Sequence, residues 1–420
     1  MVQRRRSLAL RWLVSWTVGV LALAAAAPPA AGGTEAELDE GLTAGPWILA
    51  PFASLQFEAQ DNIFRTSPGS ARPKESDDIS DLAAGLVATL PFRNSHLRLD
   101  YRGNRLDYRD HVFERDVSHD GLLELSLNLR TQDRLVLREQ VIRSFADLSS
   151  IDEGGELVFE GQPFNVNRWE VEMLRQVGGR PGYVARFTRV DVIFQTEQPV
   201  PFFDYRGFDT AFEYQHPLAG QRWFVAHVSA SSFDHFDPDD PVGVPFREAR
   251  SESVQAGLRG SIVGEREYFV RVGYGRFRFG IVDADDFGGL VGEARLRMAL
   301  GPRMVLELSG QRRPLASSFD TFYTNSEFGA KLERQWTRLL KVGLDATFAE
   351  NAYGEDTLQV DCQGRVRRDT RLGVEGFVDW SLHPRLAIRL GAEQTDRDSN
   401  CDQSRYEATS GYLGLRMGWF

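Results

Sequence analysis

The chain has 420 residues, 42% of them hydrophobic and 26% charged, and a formal net charge of −11. An acidic chain without a basic domain cannot neutralise a row of phosphates, which excludes nucleic acid as a partner. Two cysteines, Cys362 and Cys401, with no histidine near either, are too few ligands for a metal site.

The first element is a targeting segment. Arg4, Arg5, Arg6 and Arg11 precede an apolar stretch from Trp12 to Ala27, then Pro28, Pro29 and small residues through Gly33. This is the pattern of a secretory signal peptide over residues 1–33, cut near Ala31 to Gly33. The apolar stretch is too short for a membrane anchor. Losing the four arginines takes the exported remainder near −15. Thr34 to Pro46 reads as a short acidic periplasmic leader, residues 34–46, ahead of one unit over residues 47–420. No long apolar run follows. A membrane protein without apolar helices is a closed barrel, because every backbone polar group needs a partner inside the bilayer. The alternative is a soluble periplasmic or secreted β protein, and composition alone does not separate the two.

Strict period-2 windows follow in order. Leu97, Leu99 and Tyr101 alternate with Arg98, Asp100 and Arg102; Leu123, Leu125, Leu127 and Leu129 with Glu124, Ser126, Asn128 and Arg130. Met304, Leu306 and Leu308 alternate with Glu307 and Ser309, and Leu386, Ile388 and Leu390 with Arg385 and Arg389. Such segments have one face on lipid or core and the other on water. Short turns, as at Pro91–Ser95, Thr131–Asp133, His216–Gln221 and Leu382–Pro384, alternate with long polar segments, as at Asp61–Ile79, Ala146–Asn165 and Asp234–Arg250. That alternation predicts a closed antiparallel transmembrane β-barrel of about 18 strands (16–18), with short periplasmic turns and long external loops. Tyr183 to Phe194 mixes apolar and charged residues on both faces and leaves its register open. Trp47, Phe52, Trp169, Trp223, Trp336, Trp380, Tyr412 and Trp419 suit interfacial aromatic girdles. Leu413, Leu415, Met417 and Trp419 share the face of the last strand, which resembles the closing strand of an outer-membrane barrel, with Phe420 one residue out of phase.

The polar faces predict a lined lumen. Its candidates are Arg98, Asp100, Arg102, Glu124, Asn128 and Arg130, then Glu293, Arg295, Arg297, Glu307 and Gln311, then Lys341, Asp345, Arg371, Glu375, Arg385 and Arg389. Arg and Lys hold carboxylate or sulfate groups, and carboxylates and amides bond hydroxyls, so the set suits a hydrated acidic glycan. The competing expectation is that opposite charges pair across neighbouring strands and support the wall. Cys362 and Cys401 fall in adjacent long loops, where an exported chain can oxidise them to a disulfide. Asp283, Asp285 and Asp286 start like a calcium loop, but Ala294 stands where that loop needs a glutamate. An enzyme would need a rim triad around His111, His119 or His235, and no nucleophile elbow accompanies them. No cofactor is expected.

Ile48 to Phe64 reads ILAPFASLQFEAQDNIF. With Leu86, the run Leu97 to Tyr101 and Ser118-His119-Asp120, it resembles the opening of the β-barrel porin 2 family of the bacterial outer membrane. The resemblance implies a pore through which exopolysaccharide or capsular polysaccharide leaves the cell. It implies outer-membrane lipid, lipopolysaccharide, the barrel assembly machinery, a polysaccharide and periplasmic export components as partners. A diffusion porin for small sugars or ions is the alternative.

Overall fold

The computed structural model describes residues 41–67, 73–111, 117–144, 163–175, 180–195, 204–235, 248–262, 266–279, 286–316, 322–354 and 365–418. Its strands are β1 (Leu42–Ala44), β2 (Trp47–Gln60), β3 (Asp77–Phe92), β4 (Ser95–Tyr108), β5 (Val117–Asn128) and β6 (Asp133–Ser144). Then come β7 (Phe164–Arg175), β8 (Gly182–Phe194), β9 (Tyr205–Pro217), β10 (Arg222–His235), β11 (Glu248–Ile262) and β12 (Arg266–Phe279). The last are β13 (Phe287–Gly301), β14 (Met304–Ala316), β15 (Phe322–Gln335), β16 (Leu340–Tyr353), β17 (Arg368–His383), β18 (Leu386–Ser399) and β19 (Tyr406–Gly418). From β2 onward each strand pairs antiparallel with the next, and β19 pairs back onto β2. The result is a closed 18-strand barrel without a free edge.

β1 is a departure from the expected leader. Leu42–Ala44 pairs with Trp47–Leu49, on the edge of β2 that β19 leaves open after Gly418 reaches Phe52. The hairpin turns at Gly45, whose φ of 61° lies in the left-handed region.

Within the apolar belt the alternation is as read from the sequence. Leu99, Tyr101, Val171, Met173, Val270, Val272, Leu344, Phe348, Leu413 and Met417 are exposed on the outside, and the residues between them turn inward. Glu139 breaks this rule. It shares the outer face with its register partners Leu123 and Trp169, between Leu137 and Val141 on its own strand. It has no ion-pair partner among the described residues.

Toward the long-loop end the two faces exchange character. On β8, Phe187 is outside and Arg186 inside; higher up, Arg189 and Asp191 are outside, while Val190 and Val192 are inside and buried. β4 does the same with Arg105 and Asp107 against Leu106 and Tyr108, and β12 with Arg276 and Arg278 against Phe277. Above the lipid the outer face meets water, so it becomes polar. The inner face is covered there, and three apolar clusters form a collar. Phe164, Val166, Val190 and Val192 make one; Ala249, Phe277 and Phe322 another. In the third, Ile63 and Phe64 fold inward from the loop after β2 onto Ile79, Leu106 and Tyr108.

That loop is also fastened to the seam. Past Gln60, Asp61 N–H donates to the Thr409 carbonyl (3.1 Å) and Thr409 N–H to Asp61 Oδ1 (2.7 Å). Asn62 Nδ2 donates to the carbonyls of Glu407 (2.9 Å) and Thr66 (3.1 Å), while its Oδ1 accepts from Thr66 N–H (2.9 Å). The side chains of this Asp-Asn pair thus continue the β2–β19 ladder after the backbone leaves it. Partial burial opposes ionisation of Asp61, but Lys74 and the Thr409 amide outweigh it and hold its carboxyl below the usual range.

Candidate functional site: the lumen wall

Antiparallel register places inward side chains of neighbouring strands opposite one another, with Cβ atoms ~5 Å apart. The sequence fills those positions with alternating signs. Glu124 on β5 meets His96 (3.2 Å) and Arg138 Nε on β6 (2.7 Å), and Arg138 bonds Glu170 on β7. Arg186 on β8 binds Glu172 (2.5 Å). Arg271 on β12 reaches Glu213 on β9 (3.4 Å) and Glu293 on β13 (2.9 Å). Arg297 pairs with Glu307 (3.2 Å), Gln311 with Glu327 (3.3 Å), and Arg371 reaches Glu327 over β16 (3.7 Å). Lys341 lies 3.4 Å from both Glu333 and Asp379; Arg389 binds Glu375 (3.1 Å), which also accepts from the Tyr412 hydroxyl. Phe377 is the platform for two of these cations, with Arg389 4.0 Å and Lys341 5.6 Å from its ring centre.

Most candidates from the sequence are brought into this wall, largely as paired charges. Arg98 lies 3.4 Å from Asp100, and Arg102 3.9 Å from Asp81. Arg295 binds Glu293 at 2.6 Å yet keeps 73% of its side chain exposed, projecting into the open lumen. Asp345 faces inward between Lys331 and Glu375. Asn128 is at the short-turn end, where its N–H donates to Ser95 Oγ (3.0 Å).

Two candidates are not in the wall. Arg130 lies in the turn after β5, where Leu129 N–H has already closed onto the Asp133 carbonyl. Arg385 lies in the turn before β18, beside the register shift between Ser381 and His383. In both, the polar–apolar alternation runs on past the last ladder bond. Three supposed girdle aromatics also face the other way. Phe52, Trp223 and Tyr412 share the inward phase of Ser54, Val225 and Ser410. Trp419 and Phe420 lie outside the described residues, as does Cys362. Cys401 is disulfide-bonded, in a chain whose one other cysteine is Cys362. Asp81, Arg138, Glu170, Glu172, Arg186, Glu213, Arg271, Glu333 and Asp379 complete the wall without having been singled out. Their signal is a charge immediately next to an outward apolar residue, which puts it on the inward face.

Two polar groupings lie at the long-loop end, one buried around Asp369 and one half-buried around His111. Asp369 accepts from Arg367 Nε (3.0 Å), Ser399 Oγ (2.6 Å) and Tyr353 hydroxyl (3.3 Å), and from Arg397. His111 is held at both nitrogens, Nδ1 2.6 Å from Asp77 and Nε2 2.6 Å from Glu75. Those two hydrogen bonds, Asp77 foremost, raise its pKa above the usual imidazole value. Among the described residues no serine hydroxyl bonds a histidine, and no cluster of His, Cys, Asp or Glu is placed to hold a metal.

A closed antiparallel barrel, apolar outside and charged inside, is an outer-membrane-type transmembrane barrel, and solved structures share that fold. The chain superposes on the Pseudomonas aeruginosa outer-membrane protein OpdK with vanillate at a TM-score of 0.50, with 12% identity, over 88% of this chain and 99% of that one. P. aeruginosa OccK9 (OpdG) gives 0.49 and 13% identity over 88% and 98%; the P. aeruginosa siderophore receptor PirA gives 0.43 and 10% over 88% and 80%. At these identities the likeness is one of fold. No protein-family model and no curated protein matches the sequence.

Proposed function

We propose that the chain is an outer-membrane pore through which a secreted exopolysaccharide or capsular polysaccharide leaves the cell. The observation that carries the pore is the wall itself, a hydrated lining of charges that meet one another across the strands around the lumen. Paired in this way, the charges offer hydrogen bonds to hydroxyls along the whole circumference without a large net field. A sliding polar polymer needs such a surface, because many weak contacts let it move where a few strong ones would trap it. The resemblance of the Ile48–Phe64 segment to the β-barrel porin 2 family supports polysaccharide as cargo and periplasmic export components as partners. A strain lacking the gene should lose a surface polysaccharide and regain it on complementation; unchanged export of every such polymer would refute the assignment.

A diffusion porin for small sugars or ions is the second reading. The apolar collar favours it, since Ile63 and Phe64 narrow the long-loop end. Bilayer conductance that monosaccharides block as well as polysaccharide does would decide for it.

A further inference from the structure

On the wall formed by β7–β12 the lumen opens into a recess of about 360 Å³, near the small end of ligand sites (~300–1,000 Å³). It lies toward the short-turn end. Glu172, Arg186, Glu213, Gln215, His227 and Arg271 supply its polar lining, and Arg259 stands beside them. The charges within it are mostly spoken for. Arg186 is held by Glu172, and Arg271 by Glu213 and Glu293. Arg259 is exposed and has neither an ion pair nor a hydrogen bond among the described residues. Its two register partners, on the same inward face, are Trp223 on β10 and Phe269 on β12. Above it on β11, Gly257 projects no side chain, so nothing from its own strand crowds the guanidinium from that side.

We infer that this recess is a binding subsite for one carboxylated sugar unit, a uronate-type residue of the translocated chain. The chemistry follows from the three neighbours. A guanidinium without a protein carboxylate takes an external one in a bidentate geometry. Of the two flanking rings, Phe269 already has the Arg271 guanidinium 5.4 Å from its centre, which leaves Trp223 to offer an apolar face to the C–H face of a pyranose ring. The paired Glu and Arg groups and Gln215 accept from and donate to its hydroxyls. A single unit fits the volume, so the chain makes this contact one residue at a time, and Arg259, exposed to water, releases each unit to the lumen above. The inference rests on the reading of the barrel as a glycan pore.

The test uses the full-length barrel in planar bilayers, with tetraglucuronate or maltotetraose added on the short-turn side. Tetraglucuronate should interrupt the current at a tenfold or more lower concentration than maltotetraose. Arg259→Gln should abolish that preference, Arg259→Lys should restore part of it, and Trp223→Ala should weaken both blocks. Heat-dependent gel mobility checks that each variant is folded. Equal block by the two oligomers, a preference that survives Arg259→Gln, or benzoate competing as well as glucuronate would overturn the subsite. A conducting barrel that no oligomer blocks sinks the subsite and leaves the pore standing. A barrel that carries no current sinks the pore reading, and calorimetry with tetraglucuronate on the detergent-solubilised protein then decides the subsite alone.

Discussion

Replacing Asp369 should weaken the barrel more than any change in the open lumen. Its carboxylate is 2% exposed and lies between the side chains of Arg367 and Arg397, which are 5% and 2% exposed. It also accepts from Ser399 and Tyr353, so four residues on and beside β16, β17 and β18 converge on it. Asp369→Ala leaves two guanidinium groups buried without their shared carboxylate. Breaking a buried pair this way costs ~3–5 kcal/mol, or roughly two to four orders of magnitude in the folded population. Asp369→Asn keeps the shape and one acceptor and should cost less. Asp369→Leu with Arg397→Leu removes charge of both signs and should recover part of the loss, since the penalty comes from the orphaned cation. Urea unfolding in lipid vesicles, followed by tryptophan fluorescence, measures each value. A cost for Asp369→Ala below about 1 kcal/mol, or a double variant no better than the single, would refute the reasoning.

Three further outcomes are expected. His111 has a folded pKa above its unfolded value of about 6.5, so its clasp on Glu75 and Asp77 contributes fully below that pH and fades as pH rises through the raised folded value. Protease cleavage of the loops around it should therefore accelerate between neutral and alkaline pH, and His111→Gln should remove that dependence. Glu139→Leu should stabilise the barrel by about 1–2 kcal/mol in vesicle unfolding, because it removes a carboxylate from the apolar belt, and leave conductance unchanged. Arg295→Glu should shift the reversal potential in a salt gradient toward cations, on the order of twofold in permeability ratio, because the side chain projects into open lumen.

The belt was legible because each position there faces one solvent. Leu97, Leu99 and Tyr101 against Arg98, Asp100 and Arg102 read as a strand with an apolar surround on one side and water on the other. Tyr183 to Phe194 resisted the same reading for a physical reason. That strand passes from lipid into water on its outer face while its inner face passes from water under the collar, so its pattern inverts midway. Partner choice in the lumen was equally hidden. Arg271 and Glu213 are 58 positions apart, and only the register of the intervening strands brings them to 3.4 Å. Arg130 and Arg385 show the converse, an alternation that persists for a residue or two beyond the hydrogen-bonded ladder. Phe52, Trp223 and Tyr412 read as girdle residues because aromatic identity says nothing of phase. Asp61 and Asn62 open a long polar segment in the sequence, and only the closed barrel brings them across to β19.

That reach has a consequence for how the barrel is made. Asp61 and Asn62 bond groups on Thr409 and Glu407, 348 and 345 positions further along. These stitches cannot form while β19 is still unthreaded, whatever the earlier strands have done. Until then the edges of β2 and β19 both stay open to other chains, and contacts this distant in sequence come late. The first long loop of the chain is thus fastened only once its last strand has closed the wall.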